Sequence, residues 1–357
     1  MPGGSGGVMG GAGNGGNGGS NAGGGASGAS GSGGGGSAGS GGAAPLDPAL
    51  LGKCSGTSPI VCAIDVPNGN HTVTVELGDS AAASRSRVQS ELYRIGVPET
   101  SLAAGAFFRE TFSVNVRAER HDGYSAPGGV LNLRIDGPTP RLHGLAVVPA
   151  PSAITIFVAG DSTVCDWDPA ATNISSPDQR GWAQALSQYF RAGVAVANYA
   201  DSGETAGGFY TKFWPGSAPI RAGDYVFVQF GHNDQKNATD IANYKTNLRK
   251  YIADARAKAA TPVLFTPVAR KGASATDPGF GGLDAQVREL AAADGVALVD
   301  LTALSIEFFR SQTNVNQFYA NGGADGTHLS EVGAIEVSRL VARAIQSGSL
   351  PLKTYVR

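Results

Sequence analysis

Ile154-Thr-Ile-Phe-Val-Ala-Gly-Asp-Ser-Thr163 is the stretch on which the fold turns. Its first five residues are β-branched or aromatic with no polar alternation, the pattern of a strand buried on both faces. It stops abruptly in a polar, turn-forming cluster, Gly160-Asp-Ser-Thr163. Tyr225-Val-Phe-Val-Gln-Phe230, Pro262-Val-Leu-Phe-Thr-Pro-Val268 and Val296-Ala-Leu-Val299 repeat the theme, and Val194-Ala-Val-Ala-Asn198 adds another such run. Between them lie helical periods. Ile241, Tyr244, Leu248, Tyr251, Ile252 and Ala255 recur at three- and four-residue steps, as do Val337, Leu340, Val341, Ala344 and Ile345. Buried strands alternating with helices predict a doubly wound parallel α/β domain over 151–357. Its chemistry belongs in loops leaving the carboxyl ends of the strands.

Upstream the rhythm differs. His71–Leu77, Phe112–Arg117, Val130–Ile135 and Leu142–Val148 alternate with turn residues between them, and Pro149 and Pro151 mark a boundary. This predicts a small all-β sandwich over 46–150. Residues 1–45 are Gly, Ser, Ala and Asn-rich with no charged side chain, and read as a disordered tail. No basic and apolar signal segment follows Met1. The tail is either a spacer behind a lost signal or anchor, which implies a secreted or surface-tethered protein, or a spurious extension. Cys54 and Cys62 either staple a short loop, as in exported proteins, or stay as thiols, with Cys165 left over. A net charge of −2 over 357 residues, with Lys and Arg scattered, argues against nucleic acid and anionic membranes. No apolar run is long enough to span a bilayer.

Four strand ends carry the candidate chemistry. Ser162, just past a buried strand, suits a nucleophile, although Gly-Asp-Ser is also ordinary turn and cap chemistry. Gly203, in Ser202-Gly-Glu204, lets a backbone N–H approach a ligand closely, or simply turns the chain. Asn233, in Gly231-His-Asn-Asp234, has a side-chain amide able to meet an oxyanion. Asp325 precedes His328 by three residues, close enough to fix its tautomer, although such a pair is also common on surfaces. No Cys/His ligand set points to a metal.

Together these blocks resemble those of the SGNH (GDSL-type) hydrolases. The nearer resemblance is to rhamnogalacturonan acetylesterases, carbohydrate esterase family 12. Gly181-Trp182, Asn198-Tyr-Ala-x-Ser-Gly203, Gly223 through Asp234, Thr266-Pro-Val268 and Asp325-Gly-Thr-His328 carry it. The resemblance implies a flavodoxin-like sheet and an acetylesterase that needs no cofactor or metal. Ser162 would then be nucleophile, His328 general base and Asp325 its orienting acid, with Ser162, Gly203 and Asn233 forming the oxyanion hole. The implied partner is an acetylated polysaccharide or oligosaccharide, rhamnogalacturonan or pectin first and xylan second, acted on by a monomer. Where the fungal pattern commonly has Arg-Ser after the glycine, this chain has Glu204-Thr205, which puts an acidic group at the expected entrance.

His232, Glu204, Trp167 and Trp214 are candidate substrate-lining residues; core packing is the competing account of both tryptophans. Trp182 is expected to open an amphipathic helix, and Arg270 and Lys271 to lie on a solvated loop or at the cleft rim. Two other functions compete with the acetylesterase. One is an SGNH esterase for lipid or small-molecule acyl esters; the other is a carbohydrate-binding protein without turnover.

Overall fold

The computed structural model describes residues 44–357 apart from 122–123, 127 and 215–217. The glycine-rich stretch 1–43, and with it the expected disordered tail, lies outside the described residues.

A single helical turn, α1 (Pro48–Leu51), precedes ten strands: β1 (Cys54–Ser55), β2 (Ile60–Asp65), β3 (Gly69–Gly78), β4 (Ser84–Ser90), β5 (Arg94–Leu102), β6 (Phe107–Val116), β7 (Glu119–His121), β8 (Tyr124–Ala126), β9 (Val130–Thr139) and β10 (Leu142–Pro149). They form an antiparallel sheet in the order β1-β2-β9-β4-β5 and a second in the order β10-β3-β6, with β7 and β8 as a separate hairpin. Alternate residues such as Val73, Val75 and Leu77 on β3, and Leu131, Leu133 and Ile135 on β9, point into one shared core. That two-residue period is what makes these segments strands, since only one face needs burial. Cys54 and Cys62 face each other across β1 and β2 and are joined by a disulfide. Cys165 is a buried free thiol.

The remaining chain alternates: β11 (Ile154–Gly160), β12 (Gln179–Arg180), β13 (Val194–Asn198), α2 (Ala206–Lys212), β14 (Tyr225–Gln229), α3 (Ala238–Ala257), β15 (Thr261–Phe265), α4 (Leu283–Asp294), β16 (Ala297–Val299), α5 (Leu301–Arg310), β17 (Leu329–Ser330) and α6 (Glu331–Ser347). β13-β11-β14-β15-β16 is a parallel sheet with its first strand second in line, the flavodoxin-like order. Ile156 and Val158 of β11 point to one face, packed by Val337, Val341 and Ile345 of α6. Phe157 and Ala159 point to the other, packed by Tyr244, Leu248 and Tyr251 of α3. Two covered faces explain why β11, β13 and β14 read as unbroken apolar runs. The fold is thus the flavodoxin-like parallel α/β type preceded by antiparallel β sheets, as expected. One local expectation fails: Trp182 opens two short 3-10 turns, because Trp182–Leu186 is buried all round rather than along one stripe.

Candidate active site

Reversal of strand order on either side of β11 opens a crevice at the carboxyl end of the sheet. Three loops meet there: the one after β11 carries Ser162, that after β13 Gly203, and that after β14 Asn233. The fourth contributor, Asp325–His328, lies just before β17, which pairs with β12. Ser330 caps α6 by accepting from Gly333 N (3.1 Å), and so fixes where this loop ends.

Ser162 Oγ lies 3.0 Å from His328 Nε2, and His328 Nδ1 lies 2.7 Å from Asp325 Oδ2. Asp325 Oδ1 accepts from Thr327 N (2.8 Å) and His328 N (2.9 Å), so the acid orients both the ring and its backbone. Burial works against the Asp325 carboxylate. The Ser175 hydroxyl, the two backbone donors and the His328 ring outweigh it and hold the acid well below the usual carboxylate range. An ionised Asp325 keeps the Nδ1 proton and leaves Nε2 free to accept from Ser162. No local pattern pointed to Ser175, since 150 residues separate it from its partner.

The Ser162 loop is built from the inside. Asp161 Oδ1 accepts from Thr163 N (3.0 Å) and Thr163 Oγ1 (2.7 Å), while its carbonyl accepts from Val164 N and Cys165 N. This short turn sets Ser162 at the lip of the crevice, 6% exposed.

Gly203 has φ +75° with nothing near the position of a Cβ, so the backbone angle rather than space selects glycine there. Asn233 Nδ2 donates to Glu204 O (2.9 Å) and Asn233 Oδ1 accepts from Lys236 Nζ (2.7 Å). The lysine fixes which end of the amide is nitrogen, and the amide's second N–H remains for a ligand. Ser162, Gly203 and Asn233 thus come together on adjoining loops, as do Ser162, His328 and Asp325.

The other four expected residues are placed differently. Glu204 turns its carboxylate inward to Lys212 Nζ (2.6 Å), so the acidic group expected at the entrance is paired and largely buried. His232 lies behind the Ser162 loop, its Nε2 donating to Val268 O (3.0 Å) and its Nδ1 facing Asp161 Oδ2 at 3.3 Å. The facing His232 ring and the Thr163 donors outweigh the strong burial of Asp161 and lower its pKa. Trp167 donates from Nε1 to Ser162 O (2.9 Å) and sets its ring edge on to His328, but it is buried as a support and offers no stacking face. Trp214 packs with Tyr199, Phe209 and Tyr251 inside the sheet-and-helix core. Core packing wins for both tryptophans because each ring fills a volume enclosed by other aromatics or by the loops that carry Ser162 and His328. Lys271 Nζ donates to Gly323 O, and Arg270 to His232 O (3.3 Å), so both brace loops around the site.

Residues 158–334 match the GDSL-like lipase/acylhydrolase family model. The chain is 32% identical over 223 residues to the rhamnogalacturonan acetylesterase RhgT of Bacillus subtilis, covering 57% of this chain and 94% of that protein. The chain belongs to the GDSL-like lipase/acylhydrolase family. It is accordingly a carboxylic ester hydrolase of the SGNH type. YxiM of the same organism, described as an uncharacterized esterase, is 30% identical over 306 residues, which is 79% of this chain and 73% of that one. The YxiM crystal structure superposes with a TM-score of 0.50 at 28% identity, covering 81% of this chain and 80% of that chain. That coverage is more than the α/β part by itself supplies, so the likeness of this GDSL-type chain to YxiM extends into the β sandwich.

Proposed function

We propose that the protein is an exported serine esterase that removes acetyl groups from plant cell-wall polysaccharide, rhamnogalacturonan first and acetylated xylan second. The observation that carries this reading is the 3.0 Å contact of Ser162 Oγ with a histidine already bonded to an acid, in a chain similar to a rhamnogalacturonan acetylesterase over nearly that protein's whole length. The disulfide between Cys54 and Cys62 supports export, since such bonds persist in oxidising compartments.

In the reaction His328 Nε2 takes the Ser162 proton as Oγ attacks the acetyl carbonyl. The Ser162 and Gly203 N–H groups and the free Asn233 N–H meet the oxyanion. The tetrahedral adduct expels the sugar oxygen, which takes the proton from His328. Water, deprotonated by the same base, then attacks the acetyl-enzyme; acetate leaves and Ser162 regains its proton. Asp325 stays ionised throughout and stabilises the imidazolium that forms twice per turnover.

Acetate release from acetylated rhamnogalacturonan, pectin and xylan, run beside 4-nitrophenyl acetate and octanoate, tests both bond and substrate. Rapid release from rhamnogalacturonan, preference for acetyl over octanoyl, and loss of activity in Ser162→Ala by about three orders of magnitude or more are expected. Octanoate turning over faster than acetate would instead assign a lipid-type acyl ester, and full activity in Ser162→Ala would remove the site altogether.

A further inference from the structure

The β sandwich reaches under the nucleophile loop. Between β4 and β5 the chain turns through Glu91 and Tyr93, both at positive φ (51° and 56°), conformations that cost non-glycine residues and persist only when surrounding contacts enforce them. The turn delivers Arg94 into the α/β part, where its Nε and Nη2 each lie 2.6 Å from Asp166 Oδ2. The two side chains are 2% and 0% exposed. Asp166 Oδ1 accepts in turn from Asn198 Nδ2 (2.8 Å), at the end of the strand that leads to Gly203, and the same amide donates to Val164 O (2.9 Å).

A second tie runs beside the first. Gln184 Nε2 donates to Leu92 O of the sandwich turn (2.7 Å) and to Trp167 O (2.9 Å), while Gln184 Oε1 accepts from Trp167 N (3.2 Å). Trp167 carries the contact onward to Ser162 O and to the edge of the His328 ring. Asp166 and Trp167 are therefore held by the sandwich on one side and hold nucleophile, base and the Gly203 strand on the other.

We propose that Arg94 is a positioning residue for ester hydrolysis, by which the β sandwich, through Asp166, fixes the Ser162 loop relative to the Gly203 loop. The sandwich is then a working part of the hydrolase. A forked guanidinium suits this role because two donors converging on one carboxylate oxygen set its direction as well as supplying charge. The inference rests on Ser162 being the nucleophile.

The test uses the full chain with 4-nitrophenyl acetate. Arg94→Lys keeps the charge and loses the fork; kcat is expected to fall about tenfold with KM within about twofold of wild type. The double variant Arg94→Met/Asp166→Leu leaves no buried charge unpaired and so keeps the fold. It is expected to melt cooperatively near the wild-type temperature, with kcat and the labelling rate of Ser162 by a fluorophosphonate both down about a hundredfold. Either folded variant keeping kcat and labelling within about threefold of wild type overturns the proposal, since the pair then only holds two parts together. Ser162→Ala separates the premises: turnover surviving there removes the site reading, whereas an inactive Ser162→Ala beside fully active Arg94 variants removes this inference alone.

Discussion

Asn233 and Asp234 are neighbours with opposite electrostatic tasks. In the proposed reaction Asn233 offers a neutral N–H to a developing charge, and its carbonyl is held by Lys236. Asn233→Ala is expected to lower kcat by about two to three orders of magnitude with little change in KM, because the donor matters most when the oxygen becomes an anion. Steady-state kinetics on 4-nitrophenyl acetate check this. Asp234 accepts from Ala206 N (2.9 Å) at the start of α2, and burial pushes its pKa up to about 7, with the nearby Asp161 charge acting in the same direction. Its folded pKa exceeds the unfolded value of 3.8. The folded state therefore binds the extra proton between those two values, so the contribution of Asp234 to stability is fully present below about pH 4 and is lost as pH rises to about 7. Asp234→Asn keeps an acceptor for Ala206 N and removes the titration. It is expected to stabilise the protein at pH 8 relative to pH 5 by on the order of 2 kcal/mol, read from urea unfolding at the two pH values.

Among the elements, the loop after β11 is closely enclosed. Gly181, opposite it, lies so close that an added Cβ would overlap the Val164 and Cys165 backbone. Gly181→Ala must push that backbone, and with it Ser162, out of place. A loss of about 1–3 kcal/mol in stability together with a fall in kcat is expected, where an ordinary overpacked core site would lose stability alone. Denaturant melts and kinetics on one preparation separate the two effects. The parallel strands and two of the helices were legible in the sequence because burial on known faces imposes a period: β11, β13, β14, α3 and α6 all lie where their apolar spacing puts them, whereas α2, α4 and α5 were not picked out. β2, β4 and β5 carried weaker signals. Ser84–Ser90 is rich in serine and arginine and holds its place by pairing with β5 and β9 and by its partners across the sheets, which no local pattern announces.

At the scale of the whole molecule, the sandwich and the α/β part share buried polar contacts as well as apolar ones. Asn70 of β3 donates to Ala153 O and Thr155 Oγ1, Gly193 N donates to Ser113 Oγ, and Ile95 sits in the α/β core. Cutting the chain before Ser152 would strand Asp166 without its guanidinium and open Ile95's pocket to water. A destabilisation of about 3–5 kcal/mol from the unpaired charge is expected, seen as a lowered or absent melting transition in the 152–357 piece. A piece melting as cooperatively and as high as the full chain would show that the two parts are energetically independent. The sequence by itself determined the fold class, the four loops and the five residues that meet there, since strand burial, turn chemistry and donor type are local properties written in the order of residues. Only the tertiary structure decided which way the side chains between them face. Glu204 pairs inward with Lys212, Trp167 and Trp214 are enclosed, Ser175 reaches Asp325, and Arg94 crosses from the sandwich to Asp166. Each of these depends on a partner far away in the chain, and a buried charge or ring takes its orientation from whatever satisfies or encloses it.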